Sequence, residues 1–398
     1  MTSPVNTSVK FFSSLMPNAP VLSGAAGAGI AVLDACLKDG FDTKGATIAV
    51  AGGVATVTWS GVHSAVPESV IQVTGATGAW TALNGEQKVV TKPNATSCTF
   101  ATAAPDGAVT GTITIKMAPL GWAKPFSGTN LAAYQSQSVL SPKHLLRVDD
   151  SSATLMRVVG YESMTDINTG VGAFPSNAQI SGGGMWPKRQ AASATGVVWF
   201  VIGDERMFYF VVVPYASGPT AYAAGSTIRG FGDPIPYKPS GDAYATVLNM
   251  YHGTTVSAAG EGDFANPNVS NMYSPRSFTA LGAPVAQYAN TFTGGSVSGI
   301  QASLGAFPNA IDGALYMAKK FVALSGGDGS PRAEIPGIRH VPQSVSVNQF
   351  VPGEVWPGAG SDAGKSMLVV RCTNAALSTA PTDANTGVLF FDVTGPWR

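Results

Sequence analysis

The sequence predicts a mainly β protein: a small N-terminal β-sandwich module joined to a larger β-sandwich-like domain, with one short helix near the N-terminus. Three observations predict it. Residues 197–214 carry two strand-length apolar runs, Val197–Ile202 and Met207–Val213, on either side of the turn-forming tetrad Gly203-Asp204-Glu205-Arg206, a β-hairpin signal. Short runs rich in β-branched residues recur along the chain, separated by turn dipeptides such as Asn84-Gly85. Charged residues make up only 12% of the chain, about half the globular average. Gly (47) and Pro (27) are plentiful, so the surface should be neutral, polar and rich in turns.

The two runs of the central hairpin do not alternate apolar with polar, so both faces should be covered. Three charges interrupt the segment, and neither run approaches the ~20 residues of a membrane-spanning helix. A chain of 398 residues suggests two or three domains. Residues 1–45 form an N-terminal arm and helix, in which Ser23 can cap, Ile30, Leu33 and Leu37 keep helical spacing, and Gly40 stops the helix. Gly24, Gly27 and Gly29 superficially resemble a dinucleotide loop, but Val32 stands where the third glycine belongs and no βαβ unit frames it. A helix start loosened by glycine is expected instead.

Residues 46–117 form a small Ig-like β-sandwich module with strands in TIAVAGGVATVTW, VIQVTGA, EQKVVT, SCTFAT and GTITIKM. Residues 118–398 form the larger β-rich domain. Pro119, Gly121 and Pro125 punctuate its start, where Trp122 and Phe126 should lodge against the body of that domain. LLRVDDS and TLMRVVGYESM predict a second hairpin whose Arg147 and Arg157 meet its own carboxylates. Residues 170–190 read as a long glycine-rich loop and 253–275 as an exposed excursion; DGALYMAKKFVAL fits a strand or a short helix, with strand the preferred reading, while SMLVVRCTN and VLFFDVTGPWR read as strands. No internal repeat of fixed period is evident.

Charge narrows the partners. Lys plus Arg equals Asp plus Glu at 23 each, and the balance holds within each part, so no nucleic-acid face is expected. Weak self-repulsion suits a subunit that packs against its own copies. Cys36, Cys98 and Cys372 are far apart and odd in number, which predicts buried free thiols and folding in a reducing compartment. The N-terminus lacks the basic and long apolar regions of a signal peptide.

No nucleophile elbow, phosphate-binding loop or HExxH motif occurs. His63, His144, His252 and His340 share no metal spacing, and His63 is expected to be a surface or satisfied polar group. Asp166-Ile167-Asn168-Thr169-Gly170 lacks most ligands of a calcium loop and predicts a turn held by its own side chains; Asp263, Asn266 and Asn268 invite the same reading. The acid pairs Asp149/Asp150 and Asp204/Glu205 lie at turn tips, where adjacent carboxylates keep a turn wet. The chain is therefore expected to be no enzyme, with no cofactor, metal or catalytic residue. Trp186, Trp199, Tyr209, Tyr215, Tyr222 and Tyr237 cluster in the middle third. Of these, Trp186 and Tyr237, in loops rich in Gly and Pro, are the candidates for an exposed interaction site that anchors an interface or stacks on a sugar ring.

Several phrases resemble virion structural proteins of tailed bacteriophages and prophages: NTSVKFF, APVLSGAAG with VLDACLKDGF, AGGVATVTWSGVHS, LNGEQ, GWAKPFSGTNLAAYQS, LLRVDDS, RVVGYESM, FGDPIPYKPSGDAY and FDVTGPWR. The resemblance spans nearly the whole chain and carries no catalytic residue. It implies a β-rich component of the tail or baseplate, made in the host cytoplasm and located in the virion. Its implied partners are copies of itself and other tail proteins, without membrane insertion. A peripheral protein that binds a receptor or a host cell-surface glycan, or a head or neck accessory protein, is the alternative.

Overall fold

The structure is a computed structural model that describes residues 5–214, 226–251, 272–290, 304–324, 331–346, 349–373 and 386–398. It is mainly β, built of antiparallel sheets, with one short helical segment near the N-terminus.

The central hairpin forms as its residues dictate. Val198–Gly203 pairs antiparallel with Met207–Val213, and every residue of both strands is buried. One face presents Phe208 and Phe210 to Trp122 and Trp186: Trp122 meets Phe208 edge-on at 5.1 Å and Trp186 stacks on Phe210 at 5.9 Å. The other face presents Tyr209 to Phe391 and Trp397. Uninterrupted apolar runs thus reflect two covered faces, each large side chain contributing about 1.5–3 kcal/mol by burial.

The hairpin belongs to a sheet of thirteen strands among the described residues. On one side it pairs with Lys10–Ser13; on the other the order runs through Thr227–Gly232, Val247–Asn249, Met272–Ser274 and Val285–Asn290. Ala318–Leu324, Ala333–His340, Thr386–Asp392, Ser366–Thr373 and Val355–Pro357 continue the order, and the short strand Ile235–Pro236, paired with Ala333–His340, is the thirteenth. The sheet curls back on itself, for Ser226 bridges to Cys372 and its N–H donates to the Arg371 carbonyl at 3.1 Å. The C-terminal strand joins this sheet as its apolar run predicts. Met272–Ser274 are buried strand residues, which corrects the expected excursion at its C-terminal end; residues 253–271 lie outside the described residues, as do Tyr215, Tyr222, His252, Asp263, Asn266 and Asn268.

A second sheet of five strands lies against the hairpin, ordered Trp122–Gly128, Leu131–Ser136, Leu145–Asp149, Leu155–Tyr161 and Gly184–Pro187. The predicted second hairpin is its centre, with Leu145 opposite Tyr161. Its arginines do not meet carboxylates: Arg147 donates to the Ile167 carbonyl at 2.8 Å and Arg157 to the Gly183 carbonyl at 3.0 Å. The N-terminal module begins at Phe41. Its first strand, Phe41–Ala51, pairs through Phe41–Gly45 with Thr114–Met117 and through Ala46–Ala51 with Val54–Trp59. One strand thereby serves two groups of strands, and inward-facing Ile48, Val50, Val57, Phe100 and Ile115 fill the space.

The helix is shorter than its pattern, Ala28–Leu33, and continues as a π-helical turn over Asp34–Asp39 that ends at Gly40. Ser23 does not cap it. The cap position is Gly27, at φ +79°, and the acceptor is Asp150, whose Oδ2 takes the N–H groups of Gly29 and Ile30 at 2.8 and 3.0 Å. A Cβ at Gly29 would stand 2.3 Å from the Met156 sulfur, so this glycine permits close packing. The other Asp150 oxygen binds the Lys188 ammonium, which also donates to the carbonyls of Ala25 and Ser152 at 2.7 Å each. Both side chains of this pair are fully buried, which corrects the expected wet turn at Asp149/Asp150. Burial raises the Asp150 carboxyl, opposed by the Lys188 and N–H donors.

Candidate functional site

The two interaction candidates separate. Trp186 is fully buried and its indole N–H donates to the Asn249 carbonyl at 2.7 Å, so it belongs to the core and is removed as a surface candidate. The reason is local: Gly184 lets Met250 approach so closely that a Cβ there would meet its sulfur at 2.0 Å. Tyr237 is 49% exposed and stacks against Phe321 at 6.0 Å. It borders a groove.

At one end of the large sheet three connections and a segment of the second sheet enclose a cavity of about 570 Å³, within the size range of ligand and docking sites. Arg206 comes from the hairpin turn, Asp233–Thr246 from the connection after Thr227–Gly232, Phe278 and Ala280 from the connection after Met272–Ser274, and Leu140–Pro142 from the loop before Leu145. Its rim is apolar and open. Leu140 is 73% and Phe278 57% exposed, and Val139, Leu281 and Tyr237 stand exposed beside them.

Below the rim the polar groups are tied to one another. Arg332 grips Asp242 with two nitrogens, at 2.8 and 3.1 Å, and donates further to the carbonyls of Tyr244 and Arg276. Arg276 pairs with Glu162 through two 2.8 Å bonds and lies 4.6 Å over the Tyr244 ring. Thr246 donates to Asp233 at 2.7 Å, and its hydroxyl oxygen lies 2.9 Å from His144 Nδ1. This trio contains the residue types of a nucleophilic triad in the wrong order. The hydroxyl proton is committed to the carboxylate, so His144 Nδ1 donates to Thr246 and the imidazole is not placed as the base of a triad. Burial lowers the His144 pKa and keeps it neutral.

The Asp204/Glu205 turn is likewise structural. Asp204 is buried, accepts the N–H groups of Arg206 and Met207 at 2.8 and 2.7 Å, and lies 3.4 Å from the Arg398 guanidinium. The Trp122 indole docks on its carbonyl at 3.0 Å. Only Glu205 stays exposed as expected of a turn tip. At Asp166 the expected turn forms, with the Asn168 N–H on the carboxylate at 2.7 Å. Among the described residues, no three His, Cys, Asp or Glu side chains converge as a metal-holding group, and no helix is long and apolar enough to cross a membrane.

The described histidines share one state. His63 is buried with both ring nitrogens engaged, by the Ala65 N–H at 3.0 Å and the Asp42 carbonyl at 2.9 Å. His340 is buried with Nδ1 unpaired. Burial lowers the pKa of His63 and His144, and lowers that of His340 well below its ordinary value, helped there by Lys320. The unfolded chain, with histidines near pKa ~6.5, therefore binds more protons than the folded one as pH falls through that value, and stability must fall with it. Urea midpoints at pH 8 and pH 5.5 should show a loss on the order of 1–2 kcal/mol at the lower pH, and His340→Phe should flatten the slope; buried Asp150 and Asp204, raised rather than lowered, act in the opposite sense. Stability unchanged across this range would contradict the assignment.

The cysteines follow expectation. All three are buried thiols outside any disulfide; burial raises Cys36 well above its ordinary value and pushes Cys98 up to about 12. Because the thiolate is the reactive form, the native protein should resist an aromatic disulfide reagent and yield three equivalents of thiol only once unfolded. Rapid modification of the native chain would count against this.

No protein-family model matches the chain, and no curated protein matches it. Sequence reasoning marked Tyr237 but missed the groove beside it. The segment Phe231–Tyr244, which reads in sequence as alternating loop and strand, supplies most of one wall.

Proposed function

We propose that the chain is a non-enzymatic structural subunit of a tailed-phage virion, in the tail or baseplate, working within a symmetric oligomer. The observation that carries this reading is a preformed groove lined by exposed Leu140 and Phe278, with exposed Val139, Tyr237 and Leu281 in the same segments of the chain. Contiguous exposed apolar side chains rimmed by polar ones mark a protein contact surface. The sequence phrases that resemble virion proteins supply the kind of assembly. Acids and histidines with catalytic residue types support it too, since they are spent on caps, turns and wall contacts. Gold-labelled antibody on particles, viewed by electron microscopy, tests the location. Label at the tail end is expected; label over the head would make it a capsid accessory protein and overturn the tail assignment.

Exposed Tyr237 beside the groove favours a second reading, a peripheral component that holds a host glycan. Saturable glycan binding lost in Tyr237→Ala would favour it over the first.

A further inference from the structure

The groove keeps spare cationic donors: Lys238 meets no carboxylate among the described residues, and Arg206, although paired with Asp233, engages it through Nε alone. Its carboxylates are taken: Asp242 by Arg332, Asp233 by Thr246 and, at 3.4 Å, by Arg206 Nε. The two terminal nitrogens of Arg206 and the ammonium of Lys238 make no hydrogen bond among the described residues, and both side chains line the cavity. An occupant should therefore bring a carboxylate for these cations and an apolar side chain for Leu140 and Phe278.

The chain itself carries such a pair. Ile311, 94% exposed, precedes Asp312 in an exposed loop. The loop is pre-shaped: the Asp312 carboxylate accepts the Tyr316 hydroxyl at 2.5 Å and the Ala314 N–H at 2.9 Å. Gln343 holds its flanks through the Tyr316 N–H and the carbonyls of Ala306 and Ala314. A projecting, ordered apolar side chain costs little entropy to dock. Hydrogen bonding from Tyr316 and Ala314 also lowers the Asp312 pKa, so the carboxylate is ionised at neutral pH. Loop and groove lie at opposite ends of the sheet. The groove is built on the connection leading into Val285–Asn290, and the loop precedes Ala318–Leu324 and bridges through Ala306 to Ser344, just beyond Ala333–His340.

We propose that Ile311 and Asp312 of one copy seat in the groove of a second copy, Ile311 between Leu140 and Phe278 and Asp312 against Lys238 and Arg206. The contact joins two different surfaces, so it is head-to-tail and closes into a ring or extends as a stack. It rests on the structural-subunit reading and names the two surfaces through which copies meet, which that reading leaves open.

Analytical ultracentrifugation of the full chain tests it. The wild type should self-associate with rising concentration. Ile311→Asp should weaken association about tenfold or more, as expected of an interface anchor. Lys238→Glu should also weaken it, whereas Lys238→Arg, which keeps the charge, should not; these exposed side chains make no bond among the described residues, so the melting curves should match the wild type. A wild type that stays monomeric, or that assembles equally well with Ile311→Asp, would overturn this contact. So would a Lys238→Glu variant that associates as well as the wild type. None of these outcomes touches the particle-labelling result, on which the virion reading stands separately.

Discussion

Replacing Lys188 by Met should destabilise the protein by about 3–5 kcal/mol, the usual cost of leaving one partner of a buried ion pair alone. The Lys188 ammonium and the Asp150 carboxylate are both fully buried, and the same carboxylate caps the helix at Gly29 and Ile30. Without Lys188, Asp150 must stay charged in the core or take up a proton, and the carbonyls of Ala25 and Ser152 also lose their donor. The loss should be partly reversed by adding Asp150→Asn, because an amide oxygen still accepts from the helix N–H groups and no lone charge remains. Guanidinium denaturation of the wild type and both variants measures it. A Lys188→Met cost below about 1 kcal/mol, the range of an exposed pair, would show that the pair does not act as a buried clamp.

Trp186→Ala should cost a similar amount, about 3–5 kcal/mol for a buried aromatic truncated to Ala. The indole stacks on Phe210, meets Phe208 edge-on, and joins the second sheet to the first through its bond to the Asn249 carbonyl. Tyr237→Ala, half exposed, should shift stability by no more than about 0.5 kcal/mol. Thermal unfolding of both variants separates a core residue from a surface one. Equal and small effects would return Trp186 to the surface.

These two sites also show where the sequence could be read and where it could not. The central hairpin was legible because an unbroken apolar run has only one economical place, between two covered faces. The C-terminal strand around Phe390 and Phe391 was legible for the same reason. Trp186 was not. Glycines 182–184 suggested an open loop, whereas Gly183, at φ +83°, and Gly184 allow close contact with Val158, Val159 and Met250. Asp150 and Asp204 were misjudged because burial of a charge depends on partners distant in the chain, Lys188 and Arg398. The groove was hidden for a related reason: its walls come from four separate segments that only the curled sheet brings together. Tyr237 was found because exposure of an aromatic beside Pro236 and Lys238 is a local property.

The charged and polar groups below the rim rigidify the walls of the groove, through Arg332–Asp242, Arg276–Glu162 and Thr246–Asp233. A rigid groove loses little freedom on contact, which suits the docking role proposed for it.

The most direct measurement is the copy number of this chain in purified phage particles, by quantitative mass spectrometry against the other virion proteins. A structural subunit of a symmetric tail or baseplate predicts a fixed, multiple copy number that survives stringent purification. Its absence from particles, or trace amounts that vary between preparations, would contradict the account.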